Sequence, residues 1–204
     1  MNWNEAFQAR NQIRAHLKEK RKQLTTEQWR KKSEKVFENL KLSQELVAAK
    51  TVHCYISSEK NREVDTTAIV NWLIEHQKKV LVPFVAGNDM YASEFDTNTK
   101  LTDGQFGIQE PIGAMQADES ALSLVLMPLL AVDRKGNRLG YGKGFYDRFL
   151  VRLKKNHISP LKIGIAFDFQ VIEALPTVLL ENHDDVPLDA VITDTDRITF
   201  NALV

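Results

Sequence analysis

The chain has 204 residues, 43% of them apolar and 26% charged, values that suit one sizeable globular domain with its own core. Its 27 basic and 27 acidic side chains cancel, which argues against a dedicated nucleic-acid or membrane-surface protein. The single cysteine, Cys54, excludes an internal disulfide framework and fits a reducing cytoplasm.

Over residues 3–24 the apolar positions Phe7, Ile13, Leu17 and Leu24 recur at loosely helical intervals, with no secretory leader in front of them. A second helix is expected over 26–40, capped by Thr25 or Thr26, with Trp29, Val36, Phe37 and Leu40 turned inward. Residues 10–35 hold ten cations against Glu19, Glu27 and Glu34; such an arm is usually a solvated face, and Trp29 within it reads as core. Strands are expected at 51–57, 79–83, 123–127, 161–166 and 190–193, with helices at 66–77, 144–154 and 171–175. Cys54 falls in the first strand and reads as a buried, inert thiol. Residues 91–117 lack helical periodicity and carry Gly104, Gly107, Pro111 and Gly113, which suggests a short antiparallel edge and a long functional loop. The apolar run 124–132 contains Pro128 and is too short to span a bilayer.

This alternation predicts a single α/β domain over 1–204: a three-layer, mostly parallel sheet with helices on both faces, Rossmann-like, behind an N-terminal helical pair. Ligands in such sheets gather at the carboxyl ends of the strands. Residues 138–148, Arg-Leu-Gly-Tyr-Gly-Lys-Gly-Phe-Tyr-Asp-Arg, fall there. Glycines admit a ligand close to backbone N–H groups, and a helix start adds unpaired donors and a positive dipole end. Lys143 offers a mobile ammonium, Arg138 and Arg148 offer forked donors, and Asp147 could hold the metal that accompanies a nucleotide. The stretch is not a Walker A loop, since Gly144 follows Lys143, and its G-x-G-x-G order is not the dinucleotide fingerprint. The alternative is a loop whose glycines serve turns, with Asp147 capping a helix and Arg148 solvated. The histidines have no zinc-like spacing, and no hydrolytic triad is visible.

Other segments narrow the reading. Residues 107–111 (Gly-Ile-Gln-Glu-Pro), 63–66 (Glu-Val-Asp-Thr), Arg14 with Arg21, and 183–189 (His-Asp-Asp-Val-Pro-Leu-Asp) flank the glycine stretch in a fixed order. Together they resemble the 5-formyltetrahydrofolate cyclo-ligase family, also called 5,10-methenyltetrahydrofolate synthetase, over about residues 10–193. The resemblance implies that Arg10 and Arg14, on either side of Ile13, reach the phosphates of ATP, with arginine at Arg10 where the family usually has lysine. It implies an ATP site along Arg138, Leu139, Gly140, Tyr141, Gly142, Lys143, Gly144, Phe145 and Tyr146. Tyr146 would lie beside the folate, Glu63 would accept the pterin N–H groups, and Phe106 would stack on the folate. Asp147 and Asp185 would hold Mg²⁺, with Asp184 an alternative to Asp185. Gln109, Glu110 and Pro111 would shape the loop.

The implied reaction is the ATP- and Mg²⁺-dependent closure of 5-formyltetrahydrofolate to 5,10-methenyltetrahydrofolate. Lys143 and Arg14 would be its catalytic cations, acting by charge and position, with no protein nucleophile. The expected partners are ATP and the folate alone, without nucleic acid or membrane, for a monomeric cytoplasmic enzyme. Two other readings remain: a phosphate-binding α/β enzyme that does not use ATP, such as a sugar-phosphate isomerase, and a nucleic-acid module built on the basic helices.

Overall fold

A computed structural model describes residues 2–104, 109–176 and 186–200. Helix α1 (Trp3–Lys22) starts at a reciprocal capping box between Asn2 and Glu5, and α2 (Thr26–Lys41) at one between Thr25 and Gln28. Ser43 caps the short α3 (Gln44–Ala48). Strand β1 (Thr51–Cys54), α4 (Thr67–Glu75) and β2 (Lys79–Ala86) form a strand–helix–strand unit whose two strands pair in parallel. A tight turn at Gly87, φ +64°, then folds β3 (Asp89–Phe95) back antiparallel to β2. β4 (Leu101–Asp103) pairs with β5 (Gln109–Pro111). β6 (Leu124–Pro128), β7 (Ala131–Asp133), β8 (Arg138–Leu139), α5 (Phe145–Lys155) and β9 (Leu161–Ile165) follow, then β10 (Val171–Ile172), β11 (Ala190–Ile192) and β12 (Arg197–Thr199).

The main sheet has seven strands in the order β12-β11-β9-β6-β1-β2-β3. Its five inner strands are parallel and only the two edges are antiparallel. Counted along the chain, the parallel strands lie in the order 2-1-3-4-5, so growth of the sheet reverses between β1 and β6. This is a doubly wound order, though not the 3-2-1-4-5-6 order of dinucleotide-binding folds.

Strand side chains alternate between two cores. Val52, Cys54, Leu124, Leu126, Ile163 and Ile165 pack against Trp29, Val36 and Leu40 of α2 and Ile69 and Leu73 of α4. Val125, Met127 and Val191 point the other way, onto Phe149, Leu150 and Leu153 of α5. The two N-terminal helices therefore serve different layers. α2 covers the main sheet, whereas Leu17 and Ile13 of α1 join Ala131, Leu139 and Leu175 beside the small β10-β7-β8 sheet. Cys54 is fully buried, and burial pushes its thiol far above the ordinary range, as an inert core position requires. Among the described residues no helix is long and apolar enough to cross a membrane.

The helix expected at 171–175 does not form. The Gln170 amide donates to the carbonyls of Leu129 and Leu130 at 2.8 and 3.0 Å and accepts from Phe167 N–H at 2.9 Å, which ends a single turn at 168–170. Val171 and Ile172, both β-branched, then pair with β7 as a strand.

Asp133 fixes the hairpin that delivers residues 138–148. It is 2% exposed, and its carboxylate accepts from the N–H groups of Lys135 and Asn137 and from the Asn137 amide, each at 2.9 Å, and from Leu175 N–H at 3.2 Å. Asp133→Ala should cost about 3 kcal/mol, because buried donors lose a charged acceptor. Denaturant unfolding would show it as a lower midpoint at constant slope; an unchanged midpoint would count against this anchoring.

Candidate functional site

The glycine stretch leaves β8, crosses the carboxyl end of the sheet and enters α5. Gly142 and Gly144 have φ of +91° and +67°, a region that side chains resist, and Gly144 is the N-cap of α5. A Cβ on Gly142 would lie 3.4 Å from the Arg14 guanidinium, so α1 presses directly on this loop. The contact is reinforced where Arg14 Nε donates to the Gly140 carbonyl at 3.0 Å. Arg14 Nη1 also donates to Asn11 Oδ1 at 2.7 Å, which holds the guanidinium flat against the loop.

The loop after β1 supplies the facing wall. Ser58 caps a turn at 59–61, Arg62 takes the left-handed region at φ 49°, and Glu63 folds back so that its Oε2 accepts from Ser58 N–H at 2.8 Å. Trp29 Nε1 donates to the Glu63 carbonyl at 2.5 Å and Tyr55 Oη to that of Val64 at 3.1 Å. The Tyr141 hydroxyl donates to Glu63 Oε1 while accepting from Arg21 Nη2 at 2.6 Å. Glu63 is buried, yet each of its carboxylate oxygens receives one donor and keeps a lone pair for another.

Between these walls lies a cavity of about 530 Å³. Tyr55 and Ile56 line it just beyond β1 and Pro128 at the end of β6, so it opens where the sheet reverses, the place at which doubly wound sheets bind ligands. Arg10, Arg14 and Lys18 reach it from α1, Glu63 from the β1 loop, and 138–147 from the glycine stretch. The described lining residues include five cations, Arg10, Arg14, Lys18, Arg138 and Lys143, against Glu63, Glu110 and Asp147. Burial, then the charges of Arg21 and Arg14, lower the pKa of Lys18 from its ordinary value. Burial raises that of Glu110, whose Oε1 accepts from Val85 N–H at 3.2 Å. A cavity with crowded cations and carboxylates already engaged is suited to a polyanion.

The structure thus gathers Glu63, Arg10, Arg14 and the whole run from Arg138 to Asp147 around one space. Two arginines have partners that the sequence reading did not name. Arg138 Nη2 bonds Asp147 Oδ1 at 2.8 Å and stacks its guanidinium over the Tyr146 ring at 5.7 Å, so it orients two neighbours. Arg148 bridges the glycine stretch to the β2–β3 turn: it donates to the Lys143 carbonyl at 3.0 Å, to Asp89 Oδ1 at 3.2 Å and to the Asn88 carbonyl at 2.5 Å. Among the described residues no three His, Cys, Asp or Glu side chains cluster as a metal cage. Phe106, Asp184 and Asp185 lie outside the described residues.

Sequence reasoning missed Lys18 and the bridging part of Tyr141, and gave Arg21 only as a member of the family pattern and Glu110 only as a shaper of its loop. Lys18 and Arg21 carried a signal: positions 10, 14, 18 and 21 follow one helical face, with Ile13 and Leu17 beside it as the apolar anchor.

Comparison with known proteins bears on the family and the fold. The model of the 5-formyltetrahydrofolate cyclo-ligase family matches residues 6–194. The 5-formyltetrahydrofolate cyclo-ligase of Haemophilus influenzae is 33% identical over 186 residues, covering 89% of this chain and 95% of that protein. The Escherichia coli K12 protein of the same name is 31% identical, covering 87% and 96%. The solution structure of Aquifex aeolicus 5,10-methenyltetrahydrofolate synthetase superposes with a TM-score of 0.79 at 32% identity, covering 95% of this chain and 93% of that one. The synthetase from Mycoplasma pneumoniae, at 24% identity and TM-score 0.69, shares the fold over 91% of this chain and 98% of its own.

Behind the cavity, His53 is fully buried between Tyr146 and Phe149, ring centroids 5.8 and 5.1 Å away, and among the described residues neither ring nitrogen has a hydrogen-bond partner. Burial lowers its pKa from 6.5 to about 3. The unfolded chain takes up a proton below the ordinary value and the native one does not until about 3, so stability falls as pH drops through this window, by up to about 1.4 kcal/mol per unit from this group. In His53→Leu that part of the acid-side slope should vanish. Equal slopes for both proteins between pH 6 and 4 would contradict the neutral, unpartnered ring.

Proposed function

The chain belongs to the 5-formyltetrahydrofolate cyclo-ligase family, and on that premise we propose that it closes 5-formyltetrahydrofolate to 5,10-methenyltetrahydrofolate with ATP and Mg²⁺, releasing ADP and phosphate. The observation that carries this reading is the single cavity shared by the α1 cations, the glycine stretch and Glu63. A formamide oxygen is a poor leaving group. Transfer of the γ-phosphoryl group forms a P–O bond to that oxygen as the bond to ADP breaks. N10 then attacks the formyl carbon, phosphate departs with the former formyl oxygen, and the N10 proton passes to solvent.

Such chemistry asks for alignment and charge neutralisation more than for covalent help. Arg10, Arg14, Lys143 and the backbone of 140–144 are positioned to hold the phosphates, with Leu139 and Phe145 forming the adjacent wall. Glu63, fixed by Ser58 and Tyr141, keeps acceptor capacity for pterin N–H groups. Tyr146 lies between the two substrates in this scheme, and Phe106 is the proposed stacking partner of the folate. Arg138 takes one oxygen of Asp147, and the other suits Mg²⁺, which is commonly held by one or two carboxylates together with substrate phosphates. Asp185, or Asp184 in its place, is the proposed second ligand. The ion would neutralise phosphate charge as it builds.

Purified protein mixed with ATP, Mg²⁺ and 5-formyltetrahydrofolate should generate the methenyl absorbance; folded protein without that signal would sink the proposal. Failure to bind nucleotide would favour a phosphate enzyme that does not use ATP. Lys143→Ala should slow turnover at saturating ATP by about 100-fold while folate affinity holds. Near-normal turnover would remove Lys143 from the transfer step. Glu63→Gln should raise the KM for folate about tenfold and leave that for ATP in place, since one charged acceptor is lost. Equal movement of both constants would mean that Glu63 only shapes the loop.

A further inference from the structure

Two aromatic side chains at the start of α1 have no part in that scheme. Trp3 and Phe7 are 50% and 48% exposed, although large aromatic rings are mostly buried. They stand one helical turn apart and stack on each other, with centroids 5.1 Å apart and planes 9° from parallel. Both rings line the cavity that holds Arg14 and Glu63.

Their place along the helix decides what they face. At 1.5 Å per residue, Phe7 lies about 10 Å before Arg14 and Trp3 about 6 Å further out, while Arg21, bonded to Tyr141 beside Glu63, lies about 10 Å beyond Arg14 on the other side. The Arg10 and Arg14 turn is therefore flanked by an apolar aromatic end and by a Glu63 end. In-line phosphoryl transfer sets the γ-phosphate between its donor and its acceptor. With the acceptor at the Glu63 end, the nucleoside must extend toward the opposite end.

We propose that Trp3 and Phe7 form the stacking platform for the adenine ring of ATP. This rests on the ATP reading above and adds to it the direction in which the nucleotide lies. A flat π-system continues the existing two-ring stack without displacing either ring. Paired aromatics give a base affinity with little sequence code, so the platform supplies grip while the phosphates supply register.

The test measures binding of ATP and of inorganic tripolyphosphate, each with Mg²⁺, to the full chain and to the Trp3→Ala/Phe7→Ala double variant. Alanine favours the helix, and the replaced side chains are half exposed, so circular dichroism should be unchanged. The unmodified protein should prefer ATP over tripolyphosphate by about tenfold, the contribution of one stacked base. In the double variant tripolyphosphate should bind as before and that preference should disappear, with Trp3→Phe retaining it. An undiminished ATP preference in the double variant overturns the platform, as does a rise in the folate KM in place of that for ATP. Failure of the unmodified protein to bind either ligand overturns the ATP reading itself, a distinct result.

Discussion

The hydroxyl of Tyr141 ties together three segments that share no local structure. It accepts from Arg21 on α1, donates to Glu63 on the loop after β1, and belongs to the glycine stretch before α5. All three groups are largely out of water, where an unpaired guanidinium or carboxylate would be costly. Satisfying them together sets the distance between the cationic face of α1 and the acidic loop. The separation of the two ends of the cavity follows from that spacing, and the Arg14 bond to the Gly140 carbonyl holds it from a second point.

A chain of zero formal charge can still gather its cations in one cleft. Balance over 204 residues does not require balance in one cleft. Here Arg10, Arg14, Lys18 and Lys143 converge while two nearby carboxylates are engaged, Glu63 by Tyr141 and Ser58 and Asp147 by Arg138. Burial first, and then the neighbouring charges of Arg21 and Arg14, lower the pKa of Lys18 in this wall. A bound polyphosphate would relieve this repulsion, which couples ligand affinity to the docking of α1.

The parallel strands and the helices between them were legible because long runs of Val, Ile and Leu alternate with helical periodicity, as at 79–83 and 66–77. The two-residue strands β8 and β10 left no such pattern; they exist because Asp133 and Gln170 gather backbone groups from elsewhere in the chain. The glycine stretch that lines the cavity stood out through its composition. The directions of Arg138 and Arg148 did not, because a guanidinium chooses its partner in three dimensions: Asp147 for one, the β2–β3 turn for the other. Lys18 and Arg21 passed for solvated basic residues, since nothing local distinguishes a helix face that meets Tyr141 from one that meets water. Phe106 and Asp185 rest on family resemblance alone.

The docking of α1 has a consequence for how the molecule assembles. Its bonds to the glycine stretch close loops of 126 and 120 residues, Arg14 to Gly140 and Arg21 to Tyr141, and its apolar anchor Leu17 packs on Leu139 and Leu175. Helix α1 precedes its seat by 120 residues or more, so the two can meet only after the intervening chain has been synthesised. Closure over such distances costs entropy before any contact offsets it, so the local strand and helix units have the kinetic advantage. Helix α1, which precedes these units in sequence, is thus among the last of them to find its place, and the cavity it lines is completed only when it does.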